Sequence, residues 1–168
     1  MDIEENVFDH ILYEFYMYLR ASVSRADNQF VNNLLVDSRE VHLRNLVLFF
    51  SEKKESNIHY SMYINVALPD AVDRKTHNEI QKVLSNATCH LLAGRMESGF
   101  KRKTVKAETD IFPRMRRLIR RFVQEMNRYP RPEYTELWKD PEIQGRAEEI
   151  LGLTQELEWV VLEPVTTE

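Results

Sequence analysis

The chain has 168 residues, a formal net charge of −4, 43% hydrophobic and 30% charged residues. A chain of about 150 residues buries roughly 70% of its unfolded surface, so this length suits one globular domain with a real core. Its four glycines, Gly94, Gly99, Gly145 and Gly152, form no G-x-G-x-x-G, G-x-x-x-x-G-K-[ST] or G-x-S-x-G, which excludes the common nucleotide-binding loops and the usual nucleophile elbow. No cofactor is expected.

Four segments carry the 3.6-residue apolar period of helices. The first spans about residues 7–24, with Phe8, Ile11, Leu12, Phe15, Leu19 and Val23 on one face. The second spans about 28–51, with Asp27 as its expected N-cap. The third spans about 71–96, capped by Asp70, with Ile80, Val83, Leu84, Ala87 and Leu91 inward. The fourth spans about 108–128, with Ile111, Met115, Leu118, Ile119, Phe122 and Met126 on one side. Four such helices predict an all-α, up-and-down four-helix bundle over residues 1–129. Residues 130–168 are expected to be an acidic C-terminal extension packed on it. Strict alternation at Ile58, Tyr60, Met62, Ile64, Val66 and Leu68, and again at Leu157, Trp159 and Val161, is a strand pattern and would give at most a minor two-stranded β element against the bundle, although a packed irregular loop is the simpler reading.

Charge is segregated along the chain. Residues 1–94 carry net −4, residues 95–131 carry +8, and residues 132–168 carry −8. A basic loop and helix are thus followed by an acidic tail of opposite charge. The single cysteine, Cys89, permits no intrachain disulfide and suits a reducing cytoplasm. The acidic N-terminal residues lack the apolar stretch of a signal peptide. The longest pure apolar run, Leu46 to Phe50, is far below the roughly 20 residues a membrane helix needs, so no membrane association is expected.

The second helix carries a polar ridge. At about 100° per residue, Ser38, His42 and Asn45 fall within its apolar arc and Arg39 lies near the edge. A buried polar group left unpaired costs about 1–3 kcal/mol, so another helix satisfies this ridge or it lines a cleft. The third helix offers His77, His90 and Arg95. A cleft holding Arg39, His42 and either His90 or Arg95 would suit metal-free phosphodiester chemistry, with histidine moving protons and arginine stabilising phosphate charge. No metal site is expected, because E-x-x-H, H-E-x-x-H and H-x-x-x-H are all absent; only His10 and Glu14 share a helical i,i+4 spacing, which reads as an exposed hydrogen-bonded pair. In the fourth helix Arg114, Arg116, Arg117, Arg120, Arg121 and Arg128 occupy the face opposite the apolar one, with Lys101, Arg102, Lys103 and Lys106 upstream. Arginine forks match phosphate oxygens, so this face is a candidate nucleic-acid surface; the simpler reading is a solvated face partly neutralised by the acidic tail.

The stretch Leu34 to Phe50, with Ser38, His42, Arg44, Asn45, Leu46, Phe49 and Phe50, resembles the "E-S-x-x-x-H-x-R-N-L-x-x-F-F" helix of a group of uncharacterised bacterial helical proteins. Asn78 to Arg95, with His90 and Arg95, is similar to that group's later "N-K-x-L-x-H-L-x-x-R" helix. The resemblance covers roughly residues 7–128 and implies no activity. More remotely, the bundle resembles HEPN domains, many of which are ribonucleases or partners of nucleotidyltransferases. Their motif, Arg followed after four to six residues by His, is absent: Arg39 and Arg74 are followed by His42 and His77 after only two. Two functions are expected from these readings. The first is a non-enzymatic helical module that associates with itself or a protein partner, with Tyr13, Tyr16 and Met17 off the apolar face of the first helix as contact residues. The second is RNA binding, or HEPN-like metal-independent RNA cleavage, through the arginine helix and the His42 cleft.

Overall fold

The computed structural model describes residues 3–51, 58–69, 71–87, 111–155 and 160–162. The described residues are mostly helical. The first two helices, α1 (Ile3–Val23) and α2 (Gln29–Phe49), flank a three-residue strand β1 (Ser24–Ala26). Then come α3 (Arg74–Ala87), α4 (Ile111–Arg128), the short α5 (Thr135–Trp138), α6 (Pro141–Leu153) and a second three-residue strand, β2 (Val160–Leu162).

Helices α2, α3 and α6 begin where a side chain takes up their orphan amides. Asn28, not Asp27, caps α2: its Oδ1 accepts from Phe30 N at 2.8 Å and Val31 N at 3.3 Å. Asp73 caps α3, accepting from Thr76 N at 2.9 Å and Thr76 Oγ1 at 2.7 Å, so this helix starts three residues later than the sequence pattern suggested. Asp70 lies outside the described residues, as does any continuation of α3 beyond Ala87. Asp140 caps α6 ahead of Pro141, whose missing N–H costs nothing at that position.

One core gathers side chains from α1, α2, α4, α5 and α6. At its centre Phe15 stacks on Phe50 with ring centroids 5.8 Å apart, while Phe122 of α4 meets Phe15 at 5.6 Å and Phe49 at 5.3 Å, both edge to face. Such aromatic pairs contribute about 0.5–1.5 kcal/mol beyond their area burial. Trp138, Ile143, Ala147, Ile150 and Leu153 belong to the same core, and α6 packs along α1. Trp138 Nε1 donates to Asn127 Oδ1 at 2.8 Å, fixing α5 to the end of α4.

The alternation over Ile58–Leu68 does not form a strand. Tyr60–Met62 is a single 3-10 turn capped by His59, and Ile64 makes one isolated antiparallel bridge to Pro130. Tyr60, Tyr63 and Ile64 are all buried, whereas Met62 is exposed. Three inward residues at spacings of three and one require a turn, which a period-two strand cannot supply. The two strands that do form are elsewhere. Ser24–Ala26 pairs in parallel with Val160–Leu162, Ser24 opposite Val160. On the α2 side of β1, the Asn32 side-chain amide accepts from Ala26 N at 2.9 Å and donates to Ala26 O, satisfying both polar groups of that residue. Leu157 and Trp159 lie outside the described residues. No described helix is long and apolar enough to cross a membrane.

Candidate functional site

The polar ridge of α2 is met by α1. Residues 24–28 join the two helices, which pack side by side and bring Glu14 against residues 42 and 45. His42 Nδ1 lies 2.8 Å from Glu14 Oε2, and Asn45 Nδ2 donates to the same oxygen at 3.1 Å. An ionised carboxylate only accepts, so Nδ1 of His42 carries the proton in this bond. Burial alone raises the Glu14 carboxyl. Hydrogen bonds from His42 and Asn45, with the charges of His42 and His10, outweigh that and hold it below its ordinary value. His10 Nε2 stands 3.7 Å from Glu14 Oε1. The Tyr13 ring meets the His42 imidazole edge to face at 5.7 Å.

Glu14 and Asn45 also line a cleft of about 220 Å³ between α1 and α2, walled mainly by Ile11, Phe15, Leu46, Leu48 and Ile58. His42 does not line it and is only 8% exposed. The histidine therefore faces its carboxylate, while the cleft presents a mostly apolar wall with a polar lip. Ser38 is half-buried and stands outside this network. Arg39 turns elsewhere: its guanidinium packs 4.6 Å over the Phe112 ring of α4, and its buried Nε finds no hydrogen-bond partner among the described residues. Arg39 and His42 thus serve different helix contacts. His90 and Arg95, the other members of the expected cleft, lie outside the described residues. No group of three or more His, Cys, Asp or Glu among the described residues is arranged to hold a metal ion.

The arginines of α4 divide. Arg114 pairs with Asp73 at 3.2 Å and donates to Ala71 O, which ties α4 to the start of α3. Arg121 Nε pairs with the buried Glu125 at 2.8 Å. Arg116 is half-buried; Arg117, Arg120 and Arg128 are exposed. Arg117, Arg120, Arg121 and Gln124 line a shallow groove beside Leu68 and Pro69, of about 220 Å³. Lys101, Arg102, Lys103 and Lys106 lie outside the described residues.

Two features escaped the sequence pattern. Glu14 is the first: its i,i+4 relation to His10 reads as a surface pair, although it is 8% exposed. The second is a buried knot where α2 ends. Ser51 Oγ lies 3.3 Å from His77 Nδ1, and His59 Nε2 lies 2.6 Å from Ser51 O. All three are buried, and Val72 N donates to Phe50 O at 2.8 Å beside them, so the knot fastens the start of α3 to the end of α2.

The outer face of α2 is unlike a solvated helix face. Phe30 is 69% exposed, Leu34 50% and Val41 43%, and Tyr13 of α1, whose ring meets His42, is 49% exposed. Tyr16 and Met17, expected to share an interface with Tyr13, are half-buried, and Tyr16 packs against the core. No protein family model, curated protein or solved structure matches this chain.

Proposed function

We propose that this chain is a non-enzymatic helical interaction module that docks a protein surface through the outer face of α2. The observation that carries this reading is the run of exposed apolar residues Phe30, Leu34 and Val41 on one helix face. Their spacings of four and seven place them within about 40° of one another. Scattered exposed apolar residues are ordinary, but three aligned along one helix face favour an interaction surface. The Glu14–His42–Asn45 network supports the same reading, because its histidine is turned to a carboxylate and away from the cleft. In this proposal the helices keep a HEPN-like bundle arrangement, which the side-by-side packing of α1 with α2 and α2 with α3 supports. The module acts in the cytoplasm, in keeping with its single cysteine.

The test compares the wild-type chain with a Leu34→Asp/Val41→Asp variant. Light scattering at micromolar concentration reads self-association, and affinity capture from cell extract reads other partners. An associated or partner-bound wild type, with both lost in the variant, is expected. Identical behaviour of the two proteins would remove the reading.

A second reading has its own observation. Arg117, Arg120 and Arg121 converge on the groove beside Leu68–Pro69, and such a groove suits an RNA backbone. Affinity for single-stranded RNA should then fall steeply with salt, with a shallower slope in Arg117→Ala/Arg120→Ala. Absence of binding at about 50 mM salt, where such contacts are strongest, would eliminate it.

A further inference from the structure

We propose that the partner of the α2 face is a second copy of this chain, bound antiparallel about a two-fold axis through Val41. This inference rests on the docking reading above and names its occupant.

The argument is the self-complementarity of the face. Leu34, Val41 and Leu48 recur every seven residues, and an α-helix rises about 1.5 Å per residue. Leu34 and Leu48 therefore stand about 10 Å to either side of Val41. An antiparallel two-fold at Val41 lays Leu34 of one copy on Leu48 of the other, twice, with Val41 on Val41. The flanks match as well. Asp37 precedes Val41 by four residues and Arg44 follows it by three; at 100° per residue both lie on the same side of the apolar row. An antiparallel two-fold brings equal flanks together, so Asp37 of one copy meets Arg44 of the other at both ends. Both residues also have interactions within their own chain, and the intermolecular pairing adds to those. On the opposite flank Ser38 falls against the second copy's Asn45. A parallel two-fold brings opposite flanks together, so Asp37 would fall against Ser38 and Arg44 against Asn45, and neither ion pair would form.

Cysteine cross-linking in a Cys89→Ser background tests the arrangement. A disulfide needs Cα atoms roughly 4.4–6.8 Å apart. Val41→Cys should cross-link to itself under mild oxidation. Leu34→Cys and Leu48→Cys should each fail alone and cross-link when mixed. Light scattering should give twice the 20.0 kDa of one chain. Asp37→Arg and Arg44→Asp should each weaken it, and the double exchange should restore it, with circular dichroism verifying folding of every variant. Self-linking of Leu34→Cys, or a dimer in which Val41→Cys does not link, overturns the proposed register. A monomer at about 100 µM overturns the second copy as occupant; the docking reading falls with it only if capture of other partners is also unchanged by Leu34→Asp/Val41→Asp.

Discussion

Replacing Glu14 by alanine removes one acceptor that serves two donors. His42 Nδ1 and Asn45 Nδ2 both end on Glu14 Oε2, at 2.8 and 3.1 Å. The two losses differ in cost. Asn45 is exposed and rebonds to water, so its share is small. His42 is 8% exposed, and a buried donor stripped of its acceptor costs about 1–3 kcal/mol. The void left by the carboxylate opens into the cleft, where water relieves part of that. We therefore expect Glu14→Ala to destabilise the fold by about 2 kcal/mol, which for a chain of this size lowers Tm by about 4–8 °C. Glu14→Gln keeps one acceptor oxygen at the same reach and should cost about half as much. The decisive assay is a double-mutant cycle with His42→Ala, read from urea unfolding followed by circular dichroism. A coupling energy of about 1–2 kcal/mol is expected, because removing either partner makes the other's removal cheaper. Additivity to within about 0.5 kcal/mol would refute the claim that this pair joins α1 to α2.

Asp73 and Glu14 both have carboxyls held below their ordinary values. For Asp73 the hydrogen bonds from Thr76 N and Thr76 Oγ1 outweigh the cost of burial, with Arg114 adding to them. A depressed folded value means that each contributes stability above its unfolded pKa and loses it as pH falls through the folded one. Acid unfolding should therefore show a steeper limb below about pH 4 in the wild type than in Asp73→Asn, as monitored by ellipticity. Asp73→Ala should in addition cost about 1 kcal/mol at neutral pH through loss of the α3 cap, read as a lower urea midpoint. At the alkaline end, burial, with a smaller contribution from the neighbouring Tyr134, pushes the Tyr63 phenol up to about 12. Its contribution to stability is complete below its unfolded value of about 10 and is lost as pH rises through 12. Absorbance titration near 295 nm should show a late ionising step that Tyr63→Phe removes.

The apolar faces of the helices were legible in the sequence because each carries its own 3.6-residue period, and Phe8, Phe15, Leu46, Met115 and Phe122 are all buried. The ridge at His42 and Asn45 was legible for the same reason: polar residues within an apolar arc need a partner. Its partner was not. Glu14 is 28 residues from His42, and only the register of two packed helices brings them together. The third helix offered histidine and arginine, residue types that suit catalysis, while the ridge is met by a carboxylate on the first. Caps were misplaced where acceptors stand in series, as Asp27 precedes Asn28 and Asp70 precedes Asp73; backbone geometry chooses among them. At Ile58–Leu68 the packed loop prevails over the period-two strand pattern because Tyr60, Tyr63 and Ile64 are held by tertiary contacts, Phe8 with Tyr63 among them at 5.2 Å, and by the hydrogen bond from Arg131 N to Tyr63 O at 2.9 Å.

The parallel pairing of Ser24–Ala26 with Val160–Leu162 has a kinetic consequence. Almost the whole chain separates the two strands, so their ladder carries a large loop-closure entropy and raises the contact order. On the ribosome, α1 and α2 can meet early, because five residues join them. The β1 ladder has to wait until residue 162 has left the exit tunnel. Until then one edge of β1 stands open, while Asn32 already occupies the other at Ala26. A nascent or truncated chain would thus present a single, short pairing edge, open to any extended segment that reaches it first.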